Sequence, residues 1–95
     1  MTDTIHLIII SYDVSDNANR RRVAALLETR MVRVQGSVFE GWMSVTQAHR
    51  LFNAVGALID AADSARCYVV PRASVGRCRA SGFPSASLPD GVLIL

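Results

Sequence analysis

The sequence predicts an α+β domain in the order β-α-β-β-α-β, followed by one more short strand. Three observations carry that prediction. A β-branched, nearly all-apolar run, IHLIIISY, occupies 5–12. Two segments, 17–30 and 44–62, repeat apolar residues at intervals of three and four, the period of a helix that buries one face. Between them VRVQGSVFEGWM (32–43) alternates about a central Gly36, where glycine marks a bend, bulge or tight turn.

Each element has its own grounds. IHLIIISY ends at a polar cluster and is too short for a helix that caps itself. It reads as a central strand buried on both faces or nearly so, with Asp13 at its C-terminal end. In 17–30, Val23, Leu26, Leu27 and Met31 fall on one face, and Asp16, Asn17 or Asn19 can cap the start. Arg20, Arg21 and Arg22 then lie in or near the first turn, the unfavourable end of the helix dipole for a cation. A bound anion, or Asp13 and Asp16, would offset that cost. Two short strands are expected at about 31–35 and 37–43, with Val32, Val34 and Val38 on one face and Arg33, Gln35, Ser37 and Phe39 on the other.

Ser44 followed by Gln47 fits a capping box. Ala48, Leu51, Phe52, Val55, Leu58, Ile59 and Ala62 then keep helical spacing for about four turns. ARCYVVPR (65–72) is a strand that Pro71 closes. Residues 73–91 are rich in glycine, serine and proline and read as a loop, with one short edge strand expected at 75–79. The final GVLIL has the look of a last strand. Alone after a long loop it would be adhesive, so the sheet of a second subunit is expected to take it. The order as a whole is the ferredoxin-like pattern, with a sheet on one side and two helices on the other.

Ninety-five residues make a single domain, 1–95, with a modest core that can lean on a partner subunit. The net charge is only +2, and all ten basic residues are arginine. Genome composition can produce that bias. The planar guanidinium also suits phosphate, and the arginines cluster at 20–22 and 66–79. The distribution, rather than the net charge, is what argues for nucleic acid. Cys67 and Cys78 have no metal-site spacing and do not make a secreted disulfide framework. MTDTIHL carries no basic region or cleavage signal, and no apolar run approaches a membrane span. A cytoplasmic protein with no membrane contact is expected.

Asp13 has the strongest claim to chemistry. A strand end holds a side chain rigidly, which a metal or a base requires; a turn or a helix cap is the structural alternative. Magnesium takes six oxygens, commonly waters with one or two carboxylates. Asp16 is a second ligand or the helix cap. A two-fold axis offers another route by facing two copies of Asp13, which would repel unless a cation or proton lay between them. Ser11 shares the Asp13 face by alternation, Tyr12 is expected to pack its ring, and Glu40 faces solvent or an arginine. His6 and His49 read as structural, and no serine-histidine-acid set, cysteine-histidine pair or glycine-rich phosphate loop is present. Arg20, Arg21 and Arg22, with Arg66, Arg72, Arg77 and Arg79, form a candidate phosphate-backbone surface, which gives affinity without sequence choice.

SYDVSD after an apolar strand, arginines opening a helix, RVQGSVFE (33–40), ARCYVVPR and the terminal VLIL together resemble the Cas2 family of CRISPR-associated proteins over nearly the whole chain. The 33–40 string is the more specific signal. The resemblance implies a ferredoxin-like homodimer with Asp13 near the two-fold axis, associated with a divalent metal, Mg²⁺ or in its place Mn²⁺. It implies an endonuclease acting on single-stranded RNA or double-stranded DNA. It also implies a role in spacer acquisition, in which the protein bridges two Cas1 dimers and holds double-stranded DNA. The alternative is a purely non-catalytic DNA-binding adaptor. Ser11, Tyr12 and Asp13 match the strand-end motif, and Arg20, Arg21 and Arg22 match the basic helix start. Arg33, Gln35, Ser37, Val38, Phe39 and Glu40 match the second motif. Met31 and Gly36 depart from it, since many members have glycine at the first position and a larger residue at the second. The nucleic-acid surface expected from all of this is Arg20, Arg21, Arg22, Arg33, Arg77 and Arg79, with Ser11, Tyr12, Asp16, Phe39 and Glu40 supporting.

Overall fold

A computed structural model describes residues 4–82 of the chain. Its elements run β1 (Ile5–Asp13), α1 (Asn17–Glu28), β2 (Val32–Gln35), β3 (Val38–Ser44), α2 (Val45–Gly56), β4 (Ser64–Val70) and a 3-10 helix (Arg72–Arg77). The four strands form one sheet in the order β2-β3-β1-β4, and every pairing is antiparallel. This is the ferredoxin-like arrangement that the element order predicted. β1 is central, as its run of isoleucines predicted, but it is buried mainly on one face: Ile8, Ile10 and Tyr12 are buried, whereas on the other face only Leu7 is and Ile5, Ile9 and Ser11 are half-buried.

The pleat gives the two faces different fates. Ile8, Ile10 and Tyr12 point to the helix side, opposite Gly41, Phe39 and the backbone of Ser37 on one flank and Val69, Cys67 and Ala65 on the other. Phe39 and Met43 from β3, Val23, Ala24 and Leu27 from α1, and Ala48 and Val55 from α2 complete that core. Gly41 has a steric reason to be glycine. A Cβ there would stand 3.0 Å from the Arg30 carbonyl oxygen and 3.0 Å from Met31 Cγ, so the chain leaving α1 lies directly on the sheet. Ile5, Leu7, Ile9, Ser11 and Asp13 point to the other face, which neither α-helix covers.

Both helix starts are capped by side chains. Asp16 is the N-cap of α1 and accepts from Asn19 N at 2.8 Å, which selects one of the three candidates. Ser44 and Gln47 form the complete capping box at α2, satisfying donors that a helix start otherwise leaves open.

Four local expectations are corrected. α2 stops at Gly56 rather than 62, and Leu58 and Ile59 reach the core from the turn that follows it. α1 stops at Glu28, and Met31 is buried beyond its end. Alternation through 32–43 is broken by a register shift between Arg33 and Gln35. Val34 is left without a ladder partner and Gln35 crosses to the Val38 face, while Val32 with Val38 and Arg33 with Phe39 keep the faces expected of them. Val32 is 43% exposed and Phe39 is wholly buried in the core. The edge strand expected at 75–79 is replaced by the 3-10 helix, which starts at Pro71 with a Ser74 N to Pro71 O bond of 2.7 Å. That turn packs against β1 and buries Val75. The expected terminal strand GVLIL lies outside the described residues.

Candidate metal and nucleic-acid site

Asp13 is the last residue of β1 and is exposed. Its partner in the ladder is Ser64, the first residue of β4, and the pair two residues back, on the same face, is Ser11 with Arg66. The carboxylate therefore stands at the end of the sheet, on the face without α-helices, beside two serines and an arginine.

The segment after Asp13 is fastened from several sides. Val14 is buried. Arg20 Nη1 donates to the carbonyl oxygens of Val14 at 2.9 Å and Ser15 at 3.4 Å, and Nη2 donates to Asn17 Oδ1. The Arg20 guanidinium is spent on its own chain, which answers the dipole cost of a cation at a helix start with two carbonyl oxygens and a side-chain amide oxygen. Asp16, a candidate second ligand, is the helix cap. Arg22 bonds Asn19 Oδ1 at 2.9 Å. Arg21 is exposed and makes no hydrogen bond or ion pair among the described residues.

The other predicted site residues divide in the same way. Arg33 donates to Gly36 O at 2.7 Å, lies 3.4 Å from Glu28 Oε1, and sits 5.0 Å from the Phe39 ring centroid. The exposed ion pair contributes little; the contacts together hold the β2–β3 turn. Arg79 donates to Gly76 O and Cys78 O at 3.1 and 2.9 Å. Arg77 and Arg66 lie outward on the 3-10 helix and on β4. Tyr12 and Phe39 both point into the core, rings stacked at 6.2 Å, so they support the site from beneath. Glu40 is on the face without α-helices, opposite Ile9 and Val32. His6 Nδ1 accepts from Arg72 N at 2.9 Å, the structural part expected of it.

One residue escapes a reading of the sequence. Asp63 Oδ1 accepts from Ser15 N at 3.1 Å and its Oδ2 from Asp60 N at 2.9 Å. An aspartate in a turn is an ordinary local signal, but the partner 48 positions away is not visible in any window. The Asp60 amide first, then the Ser15 amide, hold its carboxyl below the usual carboxylate range. A depressed folded-state value stabilises the fold at pH above the ordinary range and loses that contribution as pH falls through the folded value. Asp63→Asn is therefore expected to shallow the acid side of a melting-temperature-versus-pH profile, read by thermal melts through the carboxylate range.

Among the described residues no group of three or more His, Cys, Asp or Glu could hold a metal. A hydrated Mg²⁺ needs less, since waters fill most of its shell. The exposed Asp13 carboxylate with hydroxyls of Ser11 and Ser64 on its face is an all-oxygen donor set that fits such an ion, particularly with a second chain's copy opposite.

A family model described as CRISPR associated protein Cas2 matches residues 6–78, from early β1 to the end of the 3-10 helix. The chain belongs to the Cas2 family. It is 39% identical over 70 residues to the CRISPR-associated endoribonuclease Cas2 3 of Chloroflexus aurantiacus, covering 73% of this chain and 75% of that one. It is 36% identical over 91 residues to the CRISPR-associated endoribonuclease Cas2 2 of Synechocystis, covering 92% and 96%. The crystal structure of Streptococcus pyogenes Cas2 at pH 6.5 superposes with a TM-score of 0.65 at 27% identity, covering 76% of this chain and 94% of that one. Among the described residues, this Cas2 has no helix long and apolar enough to cross a membrane.

Proposed function

We propose that this Cas2 is a homodimeric, metal-dependent endonuclease that cleaves RNA. In this reading two Asp13 carboxylates, brought together across a two-fold axis, hold Mg²⁺ or Mn²⁺. The observation that carries it is the placement of Asp13: an exposed carboxylate at the rigid end of the central strand, on the face without α-helices. That face is apolar enough to want a cover. It carries Ile9, Val38, Trp42, Val32 at 43% exposure and Tyr68 at 51%, and contiguous apolar surface of this kind marks protein contacts. The endoribonuclease names of the Chloroflexus and Synechocystis relatives agree with the reading.

When bound, the cation neutralises charge that develops on the phosphoryl group. The chain's own residues hold and orient. Asp13 supplies the carboxylate, Ser11 and Ser64 hydroxyls line its face, and Arg21, Arg22, Arg66 and Arg77 meet the phosphate backbone. Arg20, Arg33 and Arg79 act one step back, by shaping the loops that their guanidiniums bind. The test is a magnesium and manganese titration of cleavage on matched RNA and duplex DNA, wild type beside Asp13→Ala. Equal rates for the two proteins would end the proposal.

A second reading is a spacer-acquisition adaptor that holds double-stranded DNA and bridges Cas1 dimers without cutting. What favours it is a single strand-end carboxylate per chain together with exposed guanidiniums that bind nothing among the described residues, those of Arg21, Arg66 and Arg77. Both readings require a cytoplasmic protein. The adaptor reading expects duplex binding that Asp13→Ala leaves intact. Arg21→Glu with Arg77→Glu should weaken it across all sequences, and the salt slope should fall by about one for each phosphate no longer neutralised. Binding that ignores salt, in a filter or fluorescence assay, would remove this reading.

A further inference from the structure

Asp13 and Ser64 are the final pair of the β1–β4 ladder. Past that pair the sheet itself orders nothing, and ladder ends open more easily than ladder centres. A metal ligand at such a place needs another restraint, because Mg²⁺ tolerates little departure from octahedral geometry and a working site holds its side chains to about 0.5 Å.

The two oxygens of Asp63 supply that restraint. One binds the amide of Ser15, two residues beyond Asp13 on the strand's exit. The other binds the amide of Asp60, which opens the turn leading into Ser64; the Asp63 amide in turn donates to Asp60 O at 3.0 Å. The carboxylate thus joins the exit of β1 to the entry of β4 where the ladder stops. Arg20 grips the same exit segment through its carbonyls, so the amide and carbonyl sides are held by separate elements.

We propose that Asp63 is a positioning residue for the Asp13 metal site, acting through the Ser15 amide; this rests on the reading of Asp13 as a metal ligand. Partners that orient a metal ligand typically cost 10- to 100-fold in metal affinity when removed. The alternative part for Asp63, a plain turn residue, would alter melting temperature and leave metal affinity alone.

The experiment uses the full chain as it assembles in solution, with Mn²⁺ as the probe, titrated by electron paramagnetic resonance of the free ion. Wild type, Asp63→Asn, Asp63→Ala and Asp13→Ala are compared, with hydrogen exchange of the Ser15 amide followed in parallel. Asp63→Ala is expected to weaken Mn²⁺ binding roughly 10- to 100-fold and to speed Ser15 exchange. Asp63→Asn, which keeps one acceptor oxygen, should fall between. Wild-type affinity in Asp63→Ala, together with lost affinity in Asp13→Ala, overturns the positioning role and leaves the metal reading standing. Unchanged affinity in Asp13→Ala overturns the metal reading and this inference with it. Should Asp63→Ala fail to fold, Asp63→Asn decides by the same two readouts: weakened binding with faster exchange supports the role, and wild-type values overturn it.

Discussion

Asp13→Ala is expected to lower Mg²⁺-dependent RNA cleavage by roughly a hundredfold or more, with the fold intact. Stabilising charge on a transferring phosphoryl group contributes several kcal/mol, and each 1.4 kcal/mol or so is tenfold in rate. In a two-fold dimer one substitution removes both carboxylates, so only the neutral hydroxyls of Ser11 and Ser64 remain. The fold should tolerate the change, because Asp13 is exposed and ends its strand, and the loop that follows is tied by Asp16, Arg20 and Asp63 instead. The check is a single-turnover rate at saturating Mg²⁺, with circular dichroism and sedimentation to confirm fold and assembly. Activity that persists in the variant would leave the adaptor reading as the one to pursue.

Phe39→Ala is expected to cost about 3–5 kcal/mol, the range for deleting a fully buried aromatic ring. Phe39 is 0% exposed, opposes Ile10 in the centre of the sheet and stacks on Tyr12. Arg33 also loses the ring face that it covers, a further contribution of about 0.5–1 kcal/mol. Small domains have about 5–15 kcal/mol in total, so the variant stands near the edge of folding. Urea unfolding at fixed protein concentration measures it, with the midpoint falling and the slope unchanged. A loss under about 1 kcal/mol would mean that the ring is not the keystone of the helix-side core. Because Tyr12 adjoins Asp13, the same variant is expected to loosen the strand end and reduce metal binding.

The legible parts of this chain are those with local causes. IHLIIISY becomes the central strand because a β-branched apolar run suits a strand with neighbours on both edges. Ser44 and Gln47 become a capping box because the spacing alone brings each side chain to the other's amide. Asp13 stands at a strand end because the apolar run stops there. The misreadings also have local causes. Unbroken alternation through 32–43 puts Gln35 with Arg33 and Phe39, and one extra residue at the bulge moves it to the Val38 face and takes Val34 out of the valine pattern. Gly36 signals an irregularity nearby, but nothing in the residue types puts it between Arg33 and Gln35. Residue type alone makes Arg20, Arg33 and Arg79 surface charge, whereas carbonyls of their own chain hold all three.

The sequence by itself determined the element order, the capping box of α2, the position of Asp13 and the family. All of these depend on residues close together in the chain, where periodicity and hydrogen-bond reach act. Only the tertiary structure decided which face of the sheet stays without α-helices, which of the described arginines keep their guanidiniums free and that Asp63 ties the exit of β1 to the entry of β4. Those outcomes depend on pairing register and on contacts between residues as far apart as Ser15 and Asp63. The physical reason is that a hydrogen bond is indifferent to separation along the chain, while every sequence pattern is read within a few turns or strands.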